Sequence, residues 1–264
     1  MLKKRLVGVI AVRNGQAVQS FGYRRHLPLG RADILAANLD RWGCDEILVL
    51  GIDRSRLGLG PDIELLKQLA AMRLSTPLIY GGGIRTVEQA AMVIHHGADR
   101  VCVDAALHHD AQPIRDMATL LGAQALIGAV PVSLQHGEVQ WLDHRSGLSE
   151  AVSGKRISLF DEGVISEALL IDWMHEGMPS AFDPELVTHF PVADVPLIAF
   201  GGISEPSQAA ALWSLPRISA VAVGNALNYT ELAAQRFKES GPASMVRSPT
   251  YATSHGSQGL NDAI

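Results

Sequence analysis

"PLIYGGGIRTVEQAA" at residues 77–91 reads against "PLIAFGGISEPSQAA" at 196–210. Each copy opens on a short apolar run, turns on two or three glycines, and continues into a helical pattern. Two further pairs keep the same spacing of about 120 residues, the signature of an internal repeat. They are "VCVDAAL" (101–107) with "VAVGNAL" (221–227), and "LVGVIAV" (6–12) with "LIGAVPV" (126–132). Working outward, strands are predicted at 5–12, 46–52, 77–82, 100–105, 125–132, 167–172, 196–202 and 220–226. Helical patterns lie between them, as at 32–43, 61–72, 86–97 and 206–215. Strands alternating with helices imply a parallel sheet, and eight such units closing on themselves imply an α/β (βα)8 TIM barrel. The repeat makes it a single barrel of two half-barrels; a doubly wound open sheet is the alternative.

The 264 residues, 47% hydrophobic and 19% charged, suit one large barrel or two small domains. A net charge of -5 without a Lys/Arg run argues against a nucleic-acid partner. No stretch approaches the roughly 20 apolar residues of a membrane span. The signal-like start "MLKKRLVGVIAV" is broken by Arg13 and Asn14, so a soluble, cytoplasmic protein is expected. Cys44 and Cys102 border apolar strands and read as buried, reduced thiols. The adjacent pairs His95–His96 and His108–His109 diverge in direction and lack ligand spacing, so neither a metal nor a cofactor is expected. Residues 240–264 are rich in Gly, Ser, Pro and Thr; the barrel is placed at 1–239, with a disordered or loosely attached tail after it.

Ala11 and Pro131 end the first strand of each half, on the face where barrel enzymes assemble their sites. The glycine loops Gly82–Gly83 and Gly201–Gly202 each join a strand to a helix. Their bare N–H groups could cradle phosphate, or the turns could simply need glycine. Arg5, Glu46, Arg100 and Glu167 begin strands one, two, four and six with alternating sign. Pointed inward they form a ring of ion pairs, a stabilising plug or something more, since buried charge is costly unless fully paired. Asp53, Asp104, Asp172 and Asp183 sit at or after strand ends and could act as acid and base, or cap the next helix.

"MLKKRLVGVIAVRNGQAVQ", "GGGIRTVEQA", "GADRVCVDAAL", "GAQALIGAVPV" and "IAFGGI" together resemble the cyclase subunit of imidazole glycerol phosphate synthase, from residue 1 to about 239. The resemblance implies a barrel that takes ammonia from a glutaminase docked at its N-terminal face. The ammonia then passes through the interior to a bisphosphorylated substrate at the mouth. It implies an ammonia gate at Arg5, Glu46, Arg100 and Glu167, with arginine replacing the family's lysine at 100. It assigns Asp99 to the partner interface, Gln124 to the channel, and Gly82, Gly83, Gly201, Gly202, Gly224 and Asn225 to phosphate binding. The family's catalytic aspartates fall on Ala11 and Pro131, its strand-one lysine on Gln19, and a phosphate-binding asparagine on Asp104. A methyl group and a pyrrolidine ring move no proton. The expected function is therefore ammonia conduction to a downstream amidotransferase or ligase, as in acetamidino modification of nucleotide-linked sugars for surface polysaccharide. A histidine-pathway cyclase using relocated carboxylates, Asp53 and Asp172, is the alternative; a barrel that kept only the fold is a third.

Overall fold

The computed structural model describes residues 3–108, 111–152, 154–230 and 232–249. His109 and residues 250–264 lie outside it, and with them one histidine of the second pair and most of the expected tail.

The strands are β1 (Arg5–Arg13), β2 (Gln16–Phe21), β3 (Arg25–Gly30), β4 (Glu46–Gly51), β5 (Leu78–Gly81) and β6 (Arg100–Val103). They continue as β7 (Leu126–Gln135), β8 (Glu138–Asp143), β9 (Leu148–Ala151), β10 (Glu167–Asp172), β11 (Leu197–Phe200) and β12 (Ile218–Val223). Eight of them pair in parallel around a closed circuit, β1–β4–β5–β6–β7–β10–β11–β12 and back to β1. These eight are the strands read from the sequence.

Side chains alternate across each barrel strand. One set turns inward and forms a narrow apolar column of Val7, Leu48, Ile79, Cys102, Leu169 and Ile198 with their neighbours. The other set turns outward and packs under the helices in a much larger shell. Helices α1 (Ala32–Arg41), α2 (Arg54–Leu57), α3 (Ile63–Ala71), α4 (Val87–His95), α5 (Gln112–Leu121) and α6 (Gly154–Asp161) follow in order. The series ends with α7 (Glu185–His189), α8 (Pro206–Ser214) and α9 (Ala233–Ser240). Their starts carry local signals: Asp62 accepts the Leu65 N–H at 3.1 Å, Thr86 and Gln89 close a capping box, and Pro206 stands in the first turn of α8.

Two features were not anticipated. β1 and β7 overrun the barrel and fold back as antiparallel ribbons, β1–β2–β3 and β7–β8–β9. Their first turns are Asn14–Gly15 (φ 50° and 73°) and His136–Gly137 (φ 51° and 83°), both residues left-handed in each case, as tight hairpins require. The ribbons occupy matching places in the two half-barrels.

The second lies at the C-terminus, where residues 245–247, inside the expected loose tail, run beside Lys4 at the barrel floor. Lys4 donates its N–H to Met245 O at 2.7 Å, Arg247 donates to Lys4 O at 3.1 Å, and Val246 is buried. The ammonium of Lys4 is buried as well and donates to the carbonyls of Trp213 and Leu215 at 2.5 and 2.7 Å. Both cysteines are buried, and desolvation pushes each thiol up to about 12.

Trp213 is fully buried against Gly241 and joins α8 to this strap. Trp213→Ala is expected to cost about 3–5 kcal/mol, the range for truncating a buried aromatic. Urea unfolding of the two proteins checks it.

Candidate functional site

At the N-terminal end of the barrel the period-two alternation turns Arg5, Glu46, Arg100 and Glu167 into the column, as the sequence suggested. Arg5 donates to Glu46 Oε1 at 3.3 Å and also to Glu167 Oε1; Arg100 donates to Glu167 Oε2 at 2.6 Å and approaches Glu46 Oε1 to 3.6 Å. Ser219 adds a hydroxyl donor to Glu167 at 2.5 Å, and Ser166 accepts from Arg100 at 2.9 Å.

The two glutamates are not equivalent. Burial drives the Glu46 carboxyl above its ordinary range, outweighing both arginines, and its Oε2 has no hydrogen-bond partner. Glu167 is desolvated too, but two arginines and Ser219 outweigh that and hold it below the range. The four charges close the floor of the column as one network with a loose corner at Glu46.

Asp99 is exposed on this face and accepts the Leu78 N–H at 2.7 Å, fixing the start of β5. Gln124 faces the same end through its backbone, whose carbonyl accepts from Arg100 Nε at 3.0 Å.

At the opposite end, Ala11 lines a cavity of about 240 Å³ at the barrel mouth, whereas Pro131 is buried. Neither offers a titratable group, so these two strand ends carry only hydrocarbon. Asp53 lines this cavity, is buried, and accepts the Asn14 N–H at 2.8 Å.

Asp172 is not among the residues lining this cavity. Residue 171 takes the inward place in the alternation, so Asp172 turns toward the outer shell. There its Oδ2 contacts His175 Nδ1 at 2.7 Å and accepts the Asp183 N–H at 3.0 Å. It fastens the loop after β10. Asp183 accepts the Glu185 N–H at 2.9 Å at the start of α7.

Both glycine loops flank the central cavity. Gly82 and Gly83 (φ 123° and 74°) would place a Cβ 2.5 Å from Gly51 O and 2.2 Å from Gly60 O. Gly201 and Gly202 (φ 99° and 76°) would meet Asp172 O and Phe182 N, each at 2.6 Å. Close backbone approach therefore demands these glycines whatever they bind. The Gly83 N–H already donates to Ser55 Oγ at 3.0 Å. A second recess of about 60 Å³ contains Gly201, Gly202, Gly224 and Asn225, and Asn225 Nδ2 donates to Ser20 O at 3.0 Å. A third, also of about 60 Å³, contains Gly82, Gly83 and Asp104. Gln19 donates to Tyr229 Oη at 2.8 Å.

Several mouth residues were not foreseen. Glu176, from the loop after β10, is buried and accepts from Ser20 Oγ at 3.0 Å and from the Tyr23 N–H at 3.4 Å. Desolvation raises its carboxyl above the usual range despite those donors. Tyr23, at the β2–β3 turn with φ 61°, packs with Leu50 and Phe200 against the top of the column. Burial first, then the nearby Asp104 and Glu176, push its phenol well up. His144 Nδ1 lies 2.8 Å from Asp104 Oδ2; burial opposes the imidazolium, but Asp104 prevails and raises its pKa. Arg13, Arg24, Arg56 and His26 line the same cavity. Among the described residues no group of three His, Cys, Asp or Glu is arranged to hold a metal ion, and no helix is long and apolar enough to cross a membrane.

A duplicated (βα)8 barrel with a charged floor and paired glycine loops at its mouth defines the class. The histidine biosynthesis protein family model matches residues 5–233, and the chain belongs to that family. It is 30% identical over 215 residues to a Vibrio vulnificus protein named as an imidazole glycerol phosphate synthase subunit hisF2, covering 80% of this chain and 78% of the relative. With the imidazole glycerol phosphate synthase subunit HisF of Exiguobacterium sibiricum it shares 29% over 207 residues, 77% of this chain and 82% of that one. With HisF of Staphylococcus aureus it shares 26% over 246 residues, 90% and 96% respectively. The chain is thus a divergent HisF-like barrel.

The raised carboxyl of Glu176 has a definite sign in stability. Its folded-state pKa lies above the ordinary 4.5, so the folded form binds this proton more tightly than the unfolded chain. That contribution is fully present below 4.5 and is lost as pH rises through the folded value. Glu176→Gln keeps an acceptor for Ser20 and removes the loss. The variant should gain stability over the wild type across that interval and show a flatter pH profile, read from urea midpoints between acid and neutral pH.

Proposed function

We propose that this chain is the ammonia-conducting barrel subunit of a glutamine amidotransferase, docked at its N-terminal face to a glutaminase. The observation that carries the reading is the split between the two ends of one column. Four charged side chains form a network across the floor, while the mouth presents Ala11 and Pro131 where a HisF-type cyclase needs two carboxylates. Removing an acid–base group commonly costs about 10²–10⁴ in rate, so losing both leaves little cyclase chemistry.

Ammonia is small and neutral, and an apolar column favours it over ammonium, whose desolvation is costly. Glu46, with one oxygen unsatisfied, is the corner of the floor that yields most readily. Delivered ammonia would meet a phosphorylated small molecule seated between the glycine loops. It would then serve a downstream ligase or amidotransferase, as in acetamidino modification of a nucleotide-linked sugar for surface polysaccharide.

A second reading, an imidazole glycerol phosphate synthase cyclase in histidine biosynthesis, draws on Glu176 and Asp53. These buried carboxylates line the cavity and could replace the lost pair. Supplying ammonium salt at alkaline pH with the bisphosphorylated ribulosyl substrate tests the mouth without any glutaminase. No turnover above buffer from folded protein is expected. Clear turnover, abolished in Glu176→Gln, would transfer the assignment to the cyclase.

The floor is tested separately. Replacing Arg5 and Glu167 together should uncouple glutaminase turnover from ammonia delivery. Unchanged delivery in that variant would overturn the conduit.

A further inference from the structure

The mouth cavity carries a donor excess that neither the floor nor the glycine loops explain. Arg13, Arg24 and Arg56 all line it, and none forms an ion pair with a described carboxylate. Arg13 NH1 lies 3.2 Å from His26 Nδ1. A guanidinium has no lone pair to offer, so Nδ1 accepts, and the ring proton sits on Nε2 as one more donor. Burial first, then the adjacent Arg13 and Arg56, lower the pKa of His26.

Trp173, directly after β10, lines the same cavity with its ring. The cavity's carboxylates are already engaged: Asp53 by Asn14, and Glu176 by Ser20 and Tyr23. Asp104, bordering it, is engaged by His144. With its carboxylates engaged and three guanidinium groups lacking an ion-pair partner among the described residues, the cavity has room for an anion that the chain itself does not supply. The remaining walls are apolar and aromatic: Leu50, Phe200, Tyr23 and the Trp173 ring.

We propose that this central cavity is an oxyanion subsite, distinct from both glycine loops, that takes the carboxylate or phosphate of an organic acid with a flat apolar body. The guanidinium groups of Arg13 and Arg56 grip the head in forked geometry, and the body lies against Phe200, Leu50 and the Trp173 ring. Arg24, exposed at the rim, adds charge that draws anions inward. The proposal rests on the mouth being the substrate face. It is independent of ammonia and of the final acceptor.

The test follows the Trp173 indole N–H resonance, assigned through Trp173→Phe, in the full-length protein titrated with phenyl phosphate, benzoate and inorganic phosphate. A saturable shift with phenyl phosphate or benzoate is expected, weaker with inorganic phosphate. Phosphate-selective binding marks a phosphoryl head, and binding of both aromatic anions marks a general oxyanion site. The variant Arg13→Gln/Arg56→Gln, checked for an unchanged circular dichroism spectrum, should lose on the order of tenfold or more in affinity, the scale of charge-assisted contacts. A shift unaffected by that variant, or no shift at any concentration, overturns the subsite. This binding readout stays interpretable even if ammonia coupling through the floor fails, so each failure is recognisable alone.

Discussion

Closing eight parallel strands into a ring leaves one narrow column for every second side chain, and each feature of this protein follows from that constraint. At the floor the column admits Arg5, Glu46, Arg100 and Glu167, which are tolerable there only because each satisfies the next. In the middle it admits hydrocarbon and the Cys102 thiol. At the top it admits Ala11, Leu50 and Phe200, with Tyr23 reaching in from a ribbon. A shift of one residue in any strand would exchange this column for the outer shell. The floor network and the register therefore support each other: the charges pair only in this register, and other registers would drive them under the helices.

The barrel was legible because two independent signals agree: apolar runs of strand length, and a repeat that places like segments half a barrel apart. The floor was legible for the same reason, since strand starts are fixed by the pattern. The ribbons were not read, although Asn14–Gly15 is a strong hairpin signal; β2 and β3 are half-exposed and lack the apolar run that marks a barrel strand. That omission hid the mouth, because Tyr23, Arg24, His26 and His144 all belong to ribbons or their turns. Asp172 shows a further limit of reading strand ends alone. It stands at a strand end, yet alternation points it away from the mouth. The strap at 242–247 was hidden because its anchoring is mostly backbone hydrogen bonding with one buried valine, a pattern that composition does not register.

The mouth differs from the floor in kind. The floor keeps a network in which any single change leaves the ring with an excess of one buried charge, so it resists piecemeal alteration. The mouth is assembled from loops and ribbons resting on a rigid ring, where replacements cost little. Hydrocarbon at Ala11 and Pro131, alongside arginines and a buried glutamate on neighbouring segments, fits such unequal constraint.

Cys102 gives the column a consequence of another sort. It is held inside the ring with its thiol pushed up to about 12, so it stays protonated and inert while the interior is dry. Its neighbours in the third mouth recess include Gly82, Gly83 and Asp104. A neutral, compact electrophile that consumes Cys102 therefore reports how far the mouth admits solutes toward the column.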